Sequence, residues 1–180
     1  MLTITVPATE IFDEIRGEFV YVEKHDLQLE HSLISISKWE SKWCKPFLIN
    51  KDKTSEEIID YIKCMTLNKH VDNNVYRCLT QSNISQINDY IGAPMTATYF
   101  STPERGGKNG EQITSELIYH WMIALNIPFE CQKWHINRLL TLVRVCNIKN
   151  QPPKKMSKRD IISRNAALNA ARRQQLNTKG

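Results

Sequence analysis

A chain of 180 residues with 41% hydrophobic and 24% charged side chains has the make-up of one soluble globular domain with an appendage, which excludes global disorder. No apolar run approaches the ~20 residues needed to cross a bilayer. The opening Met1-Leu-Thr-Ile-Thr-Val-Pro7 has no basic leader and no signal-peptide core, so a protein that begins in the cytoplasm is expected. The net charge of +5 hides an asymmetry: residues 149–180 carry nine Lys/Arg and one acid (+8), leaving 15 bases against 18 acids (−3) in residues 1–148. Such a split suggests nucleic acid, an acidic protein surface or a membrane surface as the partner of the basic end. Five cysteines without close pairs read as free, mostly buried thiols.

Leu2, Ile4 and Val6 alternate with threonines, the signature of a half-buried strand. Phe19–Val22 and Leu27–His31 are two further strands, so residues 1–31 are expected to form a small antiparallel sheet. The period then changes. Leu33, Ile36, Trp39, Trp43 and Phe47 recur at three or four residues, predicting a helix that ends near Lys45-Pro46. Thr54-Ser-Glu-Glu57 is a capping-box pattern that opens a helix with Ile58, Ile62 and Met65 inward. Ser82 opens another, with Ile84, Ile87 and Ile91 inward and Gly92 at its end. Met95–Phe100 reads as a brief extended piece and Ser101–Gly110 as a loop.

Two longer helices are expected next. One runs from Glu111 to Asn126 with Ile113, Leu117, Trp121 and Leu125 on one stripe. The other runs from Pro128 to Ile148 and is apolar over most of its surface, which suits either a central core position or a face that waits for a partner. After Pro152-Pro153, Ser157 and Asp160 form a second capping box. Met156 and Ile161 occupy the positions of a hydrophobic staple, and the alanine-rich Asn165–Arg173 continues a helix with a thin apolar face. The fold class is therefore α+β, mostly α. A globular body spans 1–148 (β-rich 1–31, helical 32–148), and a basic helical arm spans 149–180.

No catalytic constellation stands out. Cys131 and His135 lie four apart on the expected helix, a spacing that suits a thiol–imidazole pair or half a zinc site but reads first as a buried cysteine beside a helix histidine. His25, His31 and His120 point to no chemistry. Glu56, Glu57 and Asp60 are acids favoured in a helix's first turn. Arg105–Gly110 lacks the spacing of a phosphate loop. The four tryptophans sit at apolar helical positions. No enzyme activity, cofactor or metal is expected. The arm lacks both the aromatics that stack on bases and a helix-turn-helix, which argues against nucleic acid.

Leu2–Pro7, Leu27–Leu33 with Ser37–Trp43, Pro128–Leu140, and Met156-Ser-Lys-Arg159 with Arg164–Arg173 together resemble a family of small proteins encoded in tail modules of siphophages and prophages, several of them tail assembly chaperones. The resemblance covers nearly the whole chain and brings no catalytic motif with it. It implies a non-enzymatic role in the host cytoplasm: keeping the phage tape measure protein soluble while tail tube subunits polymerise around it, with self-association an open alternative. The residues expected to meet the partner are Ile161, Ile162 and Leu168 for apolar contact and Arg164, Arg172 and Arg173 for charge. Two other readings remain beside it, a structural tail or connector component and a small nucleic-acid-binding protein acting through the arm.

Overall fold

A computed structural model of the chain describes residues 1–13, 17–50, 52–100, 112–151 and 157–177. It is α+β and mostly α. Four strands open the chain: β1 (Leu2–Val6), β2 (Thr9–Asp13), β3 (Glu18–Val22) and β4 (His25–Leu29). They form two separate antiparallel pairs. β1 lies against β4 with Leu2 opposite Leu29 and Ile4 opposite Leu27, and the β2–β3 pair is inserted between them in sequence. The sequence predicted three strands in one sheet, and β2 was not among them. Alternation works as expected on β1 and β4: Ile4, Val6, Leu27 and Leu29 are buried while the threonines face out. Gly17 ends the β2–β3 connection at φ +69°, a conformation that glycine adopts without strain.

The helices are α1 (Leu33–Trp43), α2 (Ser55–Met65), α3 (Asn73–Arg77), α4 (Gln81–Gly92), α5 (Ser115–Ala124), α6 (Ile136–Asn150) and α7 (Lys158–Leu176), with a 3-10 turn at Phe129–Lys133. Side-chain caps start most of them. Ser32 with Ser35, Thr54 with Glu57 and Thr80 with Asn83 make reciprocal capping boxes for α1, α2 and α4. α4 thus starts one residue before the expected Ser82. α1 stops at Trp43 because Cys44 turns left-handed (φ 52°) while its N–H still reaches the Glu40 carbonyl at 2.8 Å. Phe47 returns to the core from the following turn.

Several expectations need correction. Met95–Phe100 forms no strand. α5 begins at Ser115, four residues later than Glu111, and buries Ser115, Ile118 and Met122, whereas Leu117, Trp121 and Leu125 are only half-buried and Ile113 is exposed. The rotation has a cause. The buried Glu40 carboxylate accepts from the Ser115 N–H at 2.7 Å and from the Phe47 N–H at 2.7 Å, and so fixes the face on which α5 enters. The expected helix Pro128–Ile148 is broken. After the 3-10 turn the backbone is extended at Trp134, and Ser32 and His135 form a β-bridge. Only from Ile136 does a helix run, with Ile136, Leu139 and Val143 buried and Phe129 exposed. Of the four tryptophans, Trp39 is fully buried and the other three are half-buried.

The chain divides into two compact units, Met1–Asn147 and Ile148–Gly180. The first holds the core, in which Leu27, Leu29, Leu33, Ile36, Trp39 and Met65 are wholly enclosed. In the second, α7 is capped by Ser157, whose hydroxyl accepts from the Asp160 N–H at 3.1 Å and donates to the Asp160 carboxylate at 2.6 Å. No residue of α7 is buried. Met156 of the expected staple and the loop Ser101–Gly110 lie outside the described residues. Among the described residues no helix is long and apolar enough to cross a membrane.

Candidate partner-binding groove

The N-terminal unit carries an open, mostly apolar groove of about 540 Å³. Its walls are α2 and α4. α2 presents Ile58, Tyr61 and Ile62, and α4 presents Ile84, Ile87 and Ile91, both at helical spacing. Phe47 and Leu48, which follow α1, also line it, and among the described residues Lys53 is the only lysine or arginine along the lining.

Each wall is held from behind. On α2, the Trp39 indole N–H donates to the Glu57 carbonyl at 2.9 Å, Lys45 meets the Glu57 carboxylate at 2.5 Å, and the Trp43 indole N–H donates to Asp60 at 2.9 Å beside a Lys42–Asp60 pair. The Lys45 ammonium and then the Thr54 N–H hold the Glu57 carboxyl below its ordinary value. On α4, the Asn83 amide donates to the Thr5 carbonyl at 3.1 Å and the Tyr90 hydroxyl donates to Glu30 at 2.7 Å. Among the described residues no hydrogen bond joins α2 to α4.

The floor is polar but uncharged. His31 is 2% exposed and its Nδ1 is hydrogen-bonded to the Tyr61 hydroxyl. Its ring stands edge-on to His135 with centroids 5.0 Å apart. Burial first, then the neighbouring His135 and Lys53, push the His31 imidazole down to about 3. Burial likewise raises the Tyr61 hydroxyl well above its ordinary value. The His135 Nε2–H donates to the Tyr90 carbonyl at 3.0 Å, while its Nδ1 accepts from the Asn137 N–H at 3.3 Å. Burial also lowers the His135 imidazole.

The residues singled out from the sequence fall in other places. Cys131 is buried in the 3-10 turn and His135 belongs to the β-bridge, so the two do not share a helix face. The partner of His135 is His31, which is 104 positions away along the chain. Glu57 and Asp60 are tied to lysines, as structural acids are. His120 is exposed. Among the described residues no group of three or more His, Cys, Asp or Glu could hold a metal ion. Arg105–Gly110 lies outside the described residues.

Ile161, Ile162, Arg164, Leu168, Arg172 and Arg173 are all exposed on α7. At helical spacing Ile161, Arg164, Leu168 and Arg172 share one row, and Ile162 and Arg173 share the row beside it. α7 therefore offers an apolar–basic stripe within its own unit. Lys53 and the groove itself were not singled out from the sequence. The isoleucines of α2 and α4 carried a signal, but one that reads as core.

Set against protein-family models, curated proteins and solved structures, the chain matches none.

Proposed function

We propose that this protein is a non-enzymatic binding protein that holds an apolar helical segment of a long partner, and that it acts in the host cytoplasm as a tail assembly chaperone for a phage tape measure protein. The observation that carries the binding role is the groove of about 540 Å³ between α2 and α4. Two helical ridges with isoleucines at i, i+3 and i+7 or i+4 make a valley suited to the apolar face of an amphipathic helix. Ile58, on its rim, is 40% exposed, so apolar surface is available to a partner. The choice of client rests on the sequence resemblance to tail-module proteins, whose tape measure partners are long and helical. The row of Ile161, Arg164, Leu168 and Arg172 on α7 supplies a second apolar surface edged with positive charge. The tail tube protein is a further partner on this reading.

Co-expression with the tape measure protein tests it. The chain should raise the partner's soluble fraction. Ile58→Asp should weaken the effect without unfolding the protein, because Ile58 is not a core residue, and Arg172→Glu with Arg173→Glu should weaken it through charge. Capture should persist at salt concentrations that strip a protein from nucleic acid. If the tape measure protein is equally soluble with and without this chain, the chaperone reading fails and the structural tail component takes its place.

A further inference from the structure

We propose that the groove selects an acidic amphipathic helix, with Lys53 receiving a carboxylate of the partner placed beside its apolar anchors. This rests on the binding role proposed above and names the chemistry of the helix that fills the groove. Lys53 lines the groove beside Leu48 and the isoleucines of α2 and α4. Its ammonium stands over the Phe47 ring at 4.3 Å and within 5.9 Å of the Trp39 ring. One of its protons goes to the Asn50 carbonyl. An ammonium has three donors, and among the described residues no carboxylate lies within ion-pair distance of this one.

Glu57, whose charge acts on Lys53 from a distance, cannot serve. Both Glu57 oxygens are engaged, one by Lys45 at 2.5 Å and the other by the Thr54 N–H at 2.8 Å. His31 and Tyr61, the other polar groups of the floor, are hydrogen-bonded to each other. Among the described residues Lys53 is thus the one side chain of the lining with a formal charge, and Glu57 acts on it only from beyond ion-pair distance. Burial lowers the ammonium's affinity for its proton, with the more distant charge of Glu57 opposing the shift, so covering the groove without a close acid is costly. A carboxylate brought in by a partner would restore the lost solvation with a charge-assisted hydrogen bond. A lysine or arginine at the same place would meet a like charge across an apolar wall. A neutral helix could still fill the groove, but it would leave the ammonium covered and unpaired. The charge on the rim therefore acts as a filter on sequence, while the isoleucines accept any apolar face of the right spacing.

The probe is a 16-residue helical peptide (a length of about four turns) with leucines at i, i+3, i+4 and i+7 and one flanking glutamate, beside Gln and Lys versions at that position. Binding to the full-length protein is measured by fluorescence anisotropy at low and high salt. The parent should prefer the Glu peptide to the Gln peptide about tenfold, as a half-buried charge pair allows, and should bind the Lys peptide most weakly. Lys53→Gln should erase the preference, Lys53→Arg should keep it, and Lys53→Glu should reverse it toward the Lys peptide. Retention by Lys53→Arg separates loss of charge from loss of fold. If the parent binds the Glu and Gln peptides equally, or Lys53→Gln keeps the preference, the assignment to Lys53 is wrong while the groove remains a helix site. If none of the three peptides binds the parent, the binding role fails and this inference falls with it.

Discussion

Lowering the pH from 6.5 to 5 should cost the N-terminal unit about 2 kcal/mol through His31 alone. In the unfolded chain the imidazole takes a proton near 6.5. In the fold, burial, then His135, then Lys53 hold proton uptake off until about 3. Between those values the unfolded chain binds more protons than the folded one, so stability rises with pH across that window and is fully present above 6.5. Each pH unit in the window is worth about 1.4 kcal/mol, giving about 2 kcal/mol at pH 5. For a unit of this size that corresponds to roughly 4–8 °C in Tm. The assay is urea unfolding followed by tryptophan fluorescence at pH 7, 6 and 5, on the parent and on His31→Asn. Asparagine can hydrogen-bond the Tyr61 hydroxyl but does not titrate. The variant should be the less stable protein at pH 7, because it leaves a small cavity beside Phe47 and His135. The gap between the two proteins should narrow by about 2 kcal/mol by pH 5. Comparing the gap removes His135 and the carboxylates, which titrate in both. A gap that stays constant from pH 7 to 5 would refute the account of His31 as a buried neutral base.

The Glu40 clamp should be expensive to remove. Glu40→Ala strands the buried N–H groups of Phe47 and Ser115 and should cost roughly 3 kcal/mol in urea unfolding, while Glu40→Gln keeps one acceptor and should cost less; equal and small costs would contradict the clamp. Thr54→Ala removes the cap at the Glu57 N–H and should lower stability by about 1 kcal/mol, read as an earlier urea midpoint at unchanged slope. A chain ending at Gln151 should keep a cooperative melt within a few degrees of full length, since α7 buries no residue; an insoluble or molten product would overturn that expectation.

Local signals were legible in the sequence wherever a local rule decides the structure. The hydroxyl–acid spacing at Thr54 and Ser157 marks helix starts that the structure contains, because a cap involves only backbone within three residues. The alternation in Leu2–Val6 marks β1, because one face of that strand is buried and the other is wet. β2 was not legible for the opposite reason. In Thr9-Glu-Ile-Phe-Asp13 the two apolar residues are adjacent, Ile11 turning toward the body and Phe12 outward to meet Phe19 at 5.2 Å. The face of α5 was misread because it is set by Glu40, 75 positions away from Ser115. The break before Ile136 was hidden in the same way: the extended stretch is held by the pairing of His135 with Ser32 and by the Ile136 N–H bond to the His31 carbonyl at 2.8 Å.

The groove was illegible for a reason that also bears on how it could work. An isoleucine at helical spacing announces an apolar face, but whether that face meets a neighbour depends on where the next helix is anchored. Here α2 is anchored to α1 through Trp39, Trp43, Lys42 and Lys45, and α4 is anchored to β1 and to Glu30 through Asn83 and Tyr90. These bonds fix the two walls from their outer sides. Closing the gap between the walls would require breaking these polar contacts, of which the Trp39–Glu57 bond is buried and most of the others are half-buried, at about 1 kcal/mol for a typical hydrogen bond. Ile58, Ile84 and Ile91 therefore stay partly open although they are apolar. Lys53 reads from sequence as an ordinary surface charge. Only the return of Phe47 toward Tyr61, with ring centroids 3.9 Å apart, places an aromatic face under that ammonium. The polar frame keeps the apolar valley open, and Lys53 beside it supplies a charge that can discriminate among helices laid into it.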